Sequence, residues 1–199
     1  MPLGKARKTQ QQRETKMLEM KFTGRGGQGV VVASQILGLA FFKAGMYPQC
    51  FSVFGGERRG APVAGFLRVD KKKILVKNEI RRPGELVCFD DSLIDFDEIR
   101  DSLTDGGLIL INSRKLPEDF ASLRNYRLAI VDALAVSEAV GLGSIVNTAM
   151  LGAYCKISGR IGLDYLLGAV EESVPAKRES NLEAVKLAYE AVIILGETN

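Results

Sequence analysis

Apolar and polar residues alternate through Leu18, Met20 and Phe22, and apolar residues then run almost unbroken from Val30 to Ala44. Between the two stands Gly24-Arg25-Gly26-Gly27-Gln28-Gly29. Alternation with a period of two predicts a strand, and the long run predicts a mostly buried helix, so the glycines form a strand-to-helix turn. Gly45 supplies the helix stop. Further along, Gln49 to Phe54 is short and β-prone, and Gly55 to Pro62 is a loop carrying Glu57, Arg58 and Arg59. Val63 to Val69 and Ile74 to Val76 flank Asp70-Lys71-Lys72-Lys73, a pattern that predicts a hairpin with a basic tip. Arg82-Pro83-Gly84-Glu85 reads as a turn, and Leu86 to Phe89 as a strand buried on both faces. Asp90-Asp91-Ser92 is placed to cap a helix from Leu93 to about Leu103. Leu108 to Ile111 and Leu128 to Val131 are the clearest buried strands, with one or two helical turns over Pro117 to Arg124 between them. Helices are predicted over Ala133 to Val140, Val146 to Ile157, Leu163 to Ser173 and Ser180 to Leu195, the last with Asn181 near a capped start.

Short apolar strands alternating with helices, plus one hairpin, imply a three-layer, Rossmann-like α/β domain. Its sheet is mixed but mostly parallel, and its C-terminal third is helical. Residues 17–199 form that single domain. Residues 1–16 are polar, include Gln10-Gln11-Gln12, and read as a flexible tail, with Met17 as an alternative start. Met150, Leu151 and Tyr154 sit on a helix apolar on more than one side, so apolar area is expected to face another chain.

Composition narrows the chemistry. An apolar share of 46% and a charged share of 26% over 199 residues describe an ordinary globular domain, and the small net charge of +3 gives no basis for nucleic-acid binding. No apolar run reaches the roughly 20 residues of a membrane span. The basic run Lys71-Lys72-Lys73 reads as a solvated turn that keeps a sheet edge soluble. The chain contains no histidine, and its three cysteines, Cys50, Cys88 and Cys155, are far apart in apolar surroundings. Neither a histidine-activated nucleophile nor a cysteine-ligated cluster can be assembled from that set. No catalytic or metal-ligating residue is assigned. Scattered thiols without an export signal fit a reducing cytoplasm.

What remains is the glycine turn. Glycines at the first, third and sixth positions permit a tight turn, close approach of an anion to main-chain amides, and close packing of helix on strand. The same glycines serve equally as a packing turn that binds nothing. A nicotinamide-binding dehydrogenase would place a carboxylate about 20 residues further on. Tyr47 to Phe54 offers none, and Glu57 lies in a loop. Phosphate is the better match, with Gly24, Arg25, Gly26, Gly27, Gln28 and Gly29 joined by Arg58 and Arg59 from the second glycine loop. Glu57 either orients one of these arginines or pairs with it at a subunit contact.

Lys21 to Val30, Phe54 to Val63, Arg82-Pro83 and Asn147-Thr148-Ala149-Met150-Leu151-Gly152 together resemble the gamma subunit of the 2-oxoacid:ferredoxin oxidoreductases, above all the pyruvate synthase type. The similarity runs from Met17 to Leu195. It implies a multi-chain enzyme that decarboxylates a 2-oxoacid on thiamine diphosphate, passes electrons through iron–sulfur clusters to ferredoxin, and gives the acyl unit to coenzyme A. In that family the alpha and beta chains carry the thiamine and magnesium chemistry, and a delta chain carries clusters. The gamma chain packs against them and is implicated in admitting coenzyme A. The resemblance therefore implies alpha, beta and delta partners, coenzyme A as a ligand, and pyruvate, 2-oxoisovalerate or 2-oxoglutarate as the oxoacid. A pure scaffold that binds no ligand is the other reading.

Overall fold

The periodicity of burial along the first strand sets the architecture. In the computed structural model, which describes residues 17–54 and 60–195, Leu18–Arg25 forms β1 and buries Met20, Phe22 and Gly24 on one face. The chain then crosses through α1 (Val30–Lys43) to β2 (Tyr47–Phe54) and returns in β3 (Pro62–Asp70). It continues through β4 (Glu85–Cys88), α2 (Phe96–Ser102), β5 (Leu108–Asn112) and β6 (Arg127–Val131). Last come α3 (Ala133–Ala139), α4 (Asn147–Ser158), α5 (Leu163–Ser173), α6 (Arg178–Ala191) and β7 (Ile193–Leu195).

The described strands form one sheet in the order β2-β3-β1-β4-β5-β6-β7. β1, β4, β5 and β6 pair in parallel, while β3 runs antiparallel to both β1 and β2, and β7 antiparallel to β6. Five strands, β1, β2, β4, β5 and β6, therefore share one direction, which is the mixed, mostly parallel sheet expected. Side chains divide by parity. Leu108, Leu110, Ala129 and Val131 face the larger core under α1, α4, α5 and α6, whereas Ile109, Ile111, Leu128 and Ile130 face a smaller one with Ile99, Phe120 and Leu123. Burial on both faces explains why these strands read as unbroken apolar runs.

From β1 the chain moves toward one edge with α1 on one face, and from β4 toward the other edge with α2 on the opposite face. The direction of winding reverses between β1 and β4. In open α/β sheets a crevice forms beyond the carboxyl ends of the strands at such a reversal, and the Gly24–Gly29 turn lies there.

Several local expectations are corrected. Ile74 to Val76 is not a strand; β3 takes β2 as its hairpin partner, and residues 71–84 run as an irregular strap. The helix after β4 starts at Phe96, because Asp95 accepts from the amides of Asp97 and Glu98, while Asp90 caps only a single 3-10 turn, Asp91–Leu93. The final helix stops at Ala191, and the β-branched residues beyond it pair with β6 as β7. Asn181 lies inside α6, where it accepts from Thr148 Oγ1 (3.1 Å) and donates to the Lys177 carbonyl (2.9 Å). Met150, Leu151 and Tyr154 face no other chain: α4 is enclosed within this one, and all three are fully buried. The expected tail at residues 1–16 and the expected loop at Gly55, Gly56, Glu57, Arg58 and Arg59 lie outside the described residues.

Candidate functional site

Each glycine of the turn has its own reason. A Cβ on Gly24 would lie 2.6 Å from Val30 Cγ2 and 2.8 Å from Phe89 Cβ, so only glycine lets β1, β4 and the start of α1 meet. Gly29 has φ 82° and is the N-cap of α1, a left-handed position with no side chain to cap the helix. A Cβ there would meet Asn147 Nδ2 at 2.9 Å. Asn147 is the first residue of α4, whose N-cap Val146 offers no side-chain acceptor; Asn147 Oδ1 instead accepts from the Thr148 amide (2.9 Å). The start of α4 thus lies against Gly29, the uncapped start of α1, where the α1 dipole leaves partial positive charge.

Some amides of the turn are engaged. Gly26 N–H donates to the Ala61 carbonyl (2.9 Å), Gln28 N–H to the Arg25 carbonyl (3.1 Å), and Arg25 N–H to Gln28 Oε1 (2.7 Å). Among the described residues the amides of Gly27 and Gly29 have no acceptor, nor does Asn147 Nδ2. Gly27 is exposed, and a Cβ there would meet nothing within 4 Å. The turn therefore presents free donors on its outer side and is braced on its inner side.

Arg25 does that bracing. Its Nε donates to Asp90 Oδ2 (2.8 Å), Nη1 to the Gly60 carbonyl (3.3 Å) and Nη2 to Ser92 Oγ (3.0 Å). It ties the glycine turn, the end of the second glycine loop and the turn after β4 together. Gly60 N–H donates to the Gly26 carbonyl (3.3 Å), so the second loop is seated directly on the first. Partial burial alone would raise the Asp90 pKa, but hydrogen bonds from Ser92 and then from Arg25, with the guanidinium charge, hold the carboxyl below its ordinary value. Asp90 stays ionised and paired.

The structure places Gly24, Arg25, Gly26, Gly27, Gln28 and Gly29 in one strand-to-helix turn, and in it Arg25 braces three segments. Gln28 holds the Arg25 amide. Asp90, Ser92 and Asn147 contact the turn, and the sequence motif alone does not point to them. The signal for Asn147 was present: an asparagine opening a helix after Gly141-Leu142-Gly143. Nothing in the sequence tied Asp90 to Arg25, 65 positions away.

Beyond Asp90, a cleft of about 260 Å³ follows the carboxyl ends of β4, β5 and β6. Arg114 pairs there with Asp132 (3.0 Å) and Lys115 with Asp91 (3.3 Å), so its charges are largely matched. Among the described residues no three His, Cys, Asp or Glu side chains converge to hold a metal. The cysteines do not approach one another's sites. Burial pushes the thiols of Cys50 and Cys155 up to about 11 and raises Cys88, so all three are protonated at neutral pH. Cys50 is exposed as a residue, contrary to expectation, yet its Sγ points inward to the Ser34 carbonyl (3.4 Å). Donor sets of this kind do not fit an iron–sulfur cluster, which requires several clustered thiolates. Among the described residues, no helix is long and apolar enough to cross a membrane.

Comparison with known proteins places this arrangement. The sequence profile described as pyruvate ferredoxin/flavodoxin oxidoreductase matches residues 19–191. The pyruvate/ketoisovalerate oxidoreductases common subunit gamma of Thermococcus kodakarensis is 40% identical over 183 residues, covering 89% of this chain and 98% of that protein. The pyruvate synthase subunit PorC of Methanothermobacter thermautotrophicus is 38% identical over 178 residues, covering 88% and 96%. The crystal structure of pyruvate oxidoreductase subunit PORC from Thermotoga maritima superposes with a TM-score of 0.77 at 28% identity, over 90% of this chain and 98% of that one. The 2-oxoglutarate:ferredoxin oxidoreductase of Magnetococcus marinus, solved with 2-oxoglutarate, coenzyme A and succinyl-CoA bound, shares the fold with a TM-score of 0.73 at 16% identity. There the match covers 89% of this chain but 31% of the other, so the same fold occurs within a longer polypeptide.

Proposed function

Since the chain belongs to the pyruvate ferredoxin/flavodoxin oxidoreductase family, we propose that it is the gamma subunit of an enzyme that oxidises pyruvate or a related 2-oxoacid to acyl-CoA and carbon dioxide, with ferredoxin as acceptor. Its own part in that reaction is to receive coenzyme A phosphates at the Gly24–Gly29 turn. The observation that carries this reading is the uncapped N-terminus of α1, with the amides of Gly27 and Gly29 free among the described residues and the start of α4 packed against them, on the reversal point of the sheet. Arg58 and Arg59, on the loop whose end is seated on the turn, are proposed to add guanidinium contacts.

Bond making and breaking belong to other chains. Thiamine diphosphate with magnesium supplies the carbanion chemistry, and iron–sulfur clusters carry the electrons. The described thiols do not fit an iron–sulfur cluster, and alpha, beta and delta subunits are the proposed carriers of both groups. A cytoplasmic location follows from that role. This chain would hold the acceptor thiol ester precursor by its phosphates, exclude water from the amides of Gly27 and Gly29, and keep Asp90 away from the anion by pairing it to Arg25.

The test uses the assembled enzyme with Arg58→Ala/Arg59→Ala, and separately Gly27→Asp, which sets a carboxylate at the free amides. The coenzyme A KM is expected to rise about tenfold or more, equal to about 1.4 kcal/mol of binding. Coenzyme A-independent exchange of carbon dioxide into the oxoacid carboxyl should be unchanged. An unchanged KM in both variants refutes the binding role. One observation favours the scaffold reading: Gly26 and Gln28 amides and the Arg25 fork are already engaged. Under that reading the variants would release the subunit from the complex without altering the KM of what remains assembled.

A further inference from the structure

The strap between β3 and β4 is strongly basic. Residues 71–82 carry Lys71, Lys72, Lys73, Lys77, Arg81 and Arg82 against a single carboxylate, Glu79, an excess of five positive charges in a chain whose whole formal charge is +3. The remainder is therefore net negative, and charge is segregated. The strap is held by its backbone and by apolar anchors. Gln49 Nε2 donates to the Val76 carbonyl (3.1 Å), Thr104 N–H to the Pro83 carbonyl (2.9 Å), and Ile80 is buried. Its cations are not engaged in that anchoring. Among the described residues the only ion pair any of them makes is a long contact of Arg82 with Asp105 at 3.9 Å. Two large aliphatic side chains stand out between them, Leu75 at 79% and Val76 at 44% exposure. At the start of the strap, Lys71 shares a cleft of about 170 Å³ with Asp70 and with Arg160, whose charge is paired with Glu85.

This composition distinguishes between kinds of partner. Lysine is depleted from the cores of permanent interfaces, because its strongly hydrated charge resists desolvation. Unpaired lysines around a small apolar centre suit a brief, electrostatically steered encounter, whose buried area is small and whose partner is negatively charged. The strap lacks aromatic residues for stacking on bases and forms no amphipathic helix for a lipid surface. It also stands apart from the glycine turn. Val69, at the strap's beginning, pairs with Leu18, whereas Pro62 pairs with Arg25 at the other end of β1. Eight residues of β1 at about 3.3 Å each separate the two by about 25 Å.

We infer that the strap is the docking surface for a small acidic protein, the soluble carrier that takes electrons from the assembled enzyme. The inference rests on the reading of the chain as part of a ferredoxin-linked oxidoreductase. No electron passes through the strap itself, which holds no redox group. It raises the local concentration and orientation of the carrier, and the transfer belongs to a cluster on another chain.

The experiment reconstitutes the full complex with Lys71→Glu/Lys72→Glu/Lys73→Glu and, as the milder variant, with the three lysines changed to Gln. Oxidation of pyruvate is followed with ferredoxin and, in parallel, with the small dye methyl viologen. The charge-reversed complex should show a ferredoxin KM raised about tenfold or more, with most of its dependence on ionic strength lost. The Gln variant should lie between it and the unmodified complex, and dye reduction should be the same in all three. An unchanged ferredoxin KM and salt dependence overturns the inference, as does loss of the subunit from the complex on gel filtration, which would assign the strap to a subunit contact. A complex that reduces neither dye nor ferredoxin before any substitution refutes the proposed function instead.

Discussion

Gly152→Ala adds one methyl group where α4 packs against the backbone of α6. An added Cβ would stand 2.1 Å from the Val185 carbonyl oxygen, 2.8 Å from its carbonyl carbon and 2.9 Å from its Cα. Carbon–oxygen contacts settle near about 3.3–3.6 Å even when attractive. The axes of α4 and α6 must therefore part by roughly 1 Å. No side chain can yield, because all three clashing atoms are backbone. Parting the helices loosens the packing of Ala184, Val185 and Ala188, all fully buried. Overpacking of this kind costs about 1–3 kcal/mol, and a rigid backbone neighbour puts it at the upper end. Alanine returns up to about 1 kcal/mol of helix propensity. The net expectation is about 2 kcal/mol of lost stability, or about 4–8 °C in Tm for a chain of this size. Gly168 in α5 provides the control, since a Cβ there meets nothing within 4 Å. Gly168→Ala should gain about 0.5–1 kcal/mol from propensity alone. Thermal and urea unfolding of the full chain by circular dichroism measures both. Equal stability of Gly152→Ala and the unmodified chain would refute the stated packing of α4 on α6, and adding Val185→Ala should not rescue the loss, because the obstruction is main chain.

Three further outcomes follow from groups already described. Asp90→Asn removes the charge paired with Arg25, and because the folded pKa lies below the ordinary 3.8, the stability it supplies is present above that pH and fades as pH falls through the lower folded value. Urea unfolding should separate variant from unmodified chain at pH 6 and bring them together below pH 3.8; a constant difference across the range would contradict the pairing. Tyr154→Phe deprives the buried Glu85 carboxylate of a hydrogen bond (2.7 Å), leaving Arg160 as its other partner. A loss of about 1.5–3 kcal/mol is expected by urea unfolding, and a loss under about 0.5 kcal/mol would show the bond to be dispensable. The thiols of Cys50 and Cys155, raised to about 11, should react with a disulfide reagent at pH 8 far more slowly in the folded chain than in urea, and comparable rates would rule out the shielding of their sulfur atoms.

The central strands, the glycine turn and the C-terminal helices were legible because each is written in local sequence: doubly buried runs for β4, β5 and β6, and glycines where a Cβ would collide. What stayed hidden was set by contacts distant in sequence. The basic run after β3 looks like a hairpin tip, yet β3 is paired on both edges, by β1 and β2, and leaves no place for Ile74 to Val76. Asp90 looks like a helix cap because Asp, Asp and Ser all favour that position, and only the fold shows that Arg25 claims it. The apolar surface of α4 looked available to another subunit because its burial under α5 and α6 depends on how the last third folds back. Arg25 reads as a phosphate ligand from its place in the glycine motif; that its fork joins three segments shows only in the fold.

That brace has a mechanical consequence. One guanidinium joins the Gly24–Gly29 turn, the chain at Gly60 and the bend at Asp90–Ser92, three segments from separate parts of the sequence. They move as a single body or the fork breaks. A molecule arriving at any one of them meets a rim already set in shape, and less freedom is lost on its arrival.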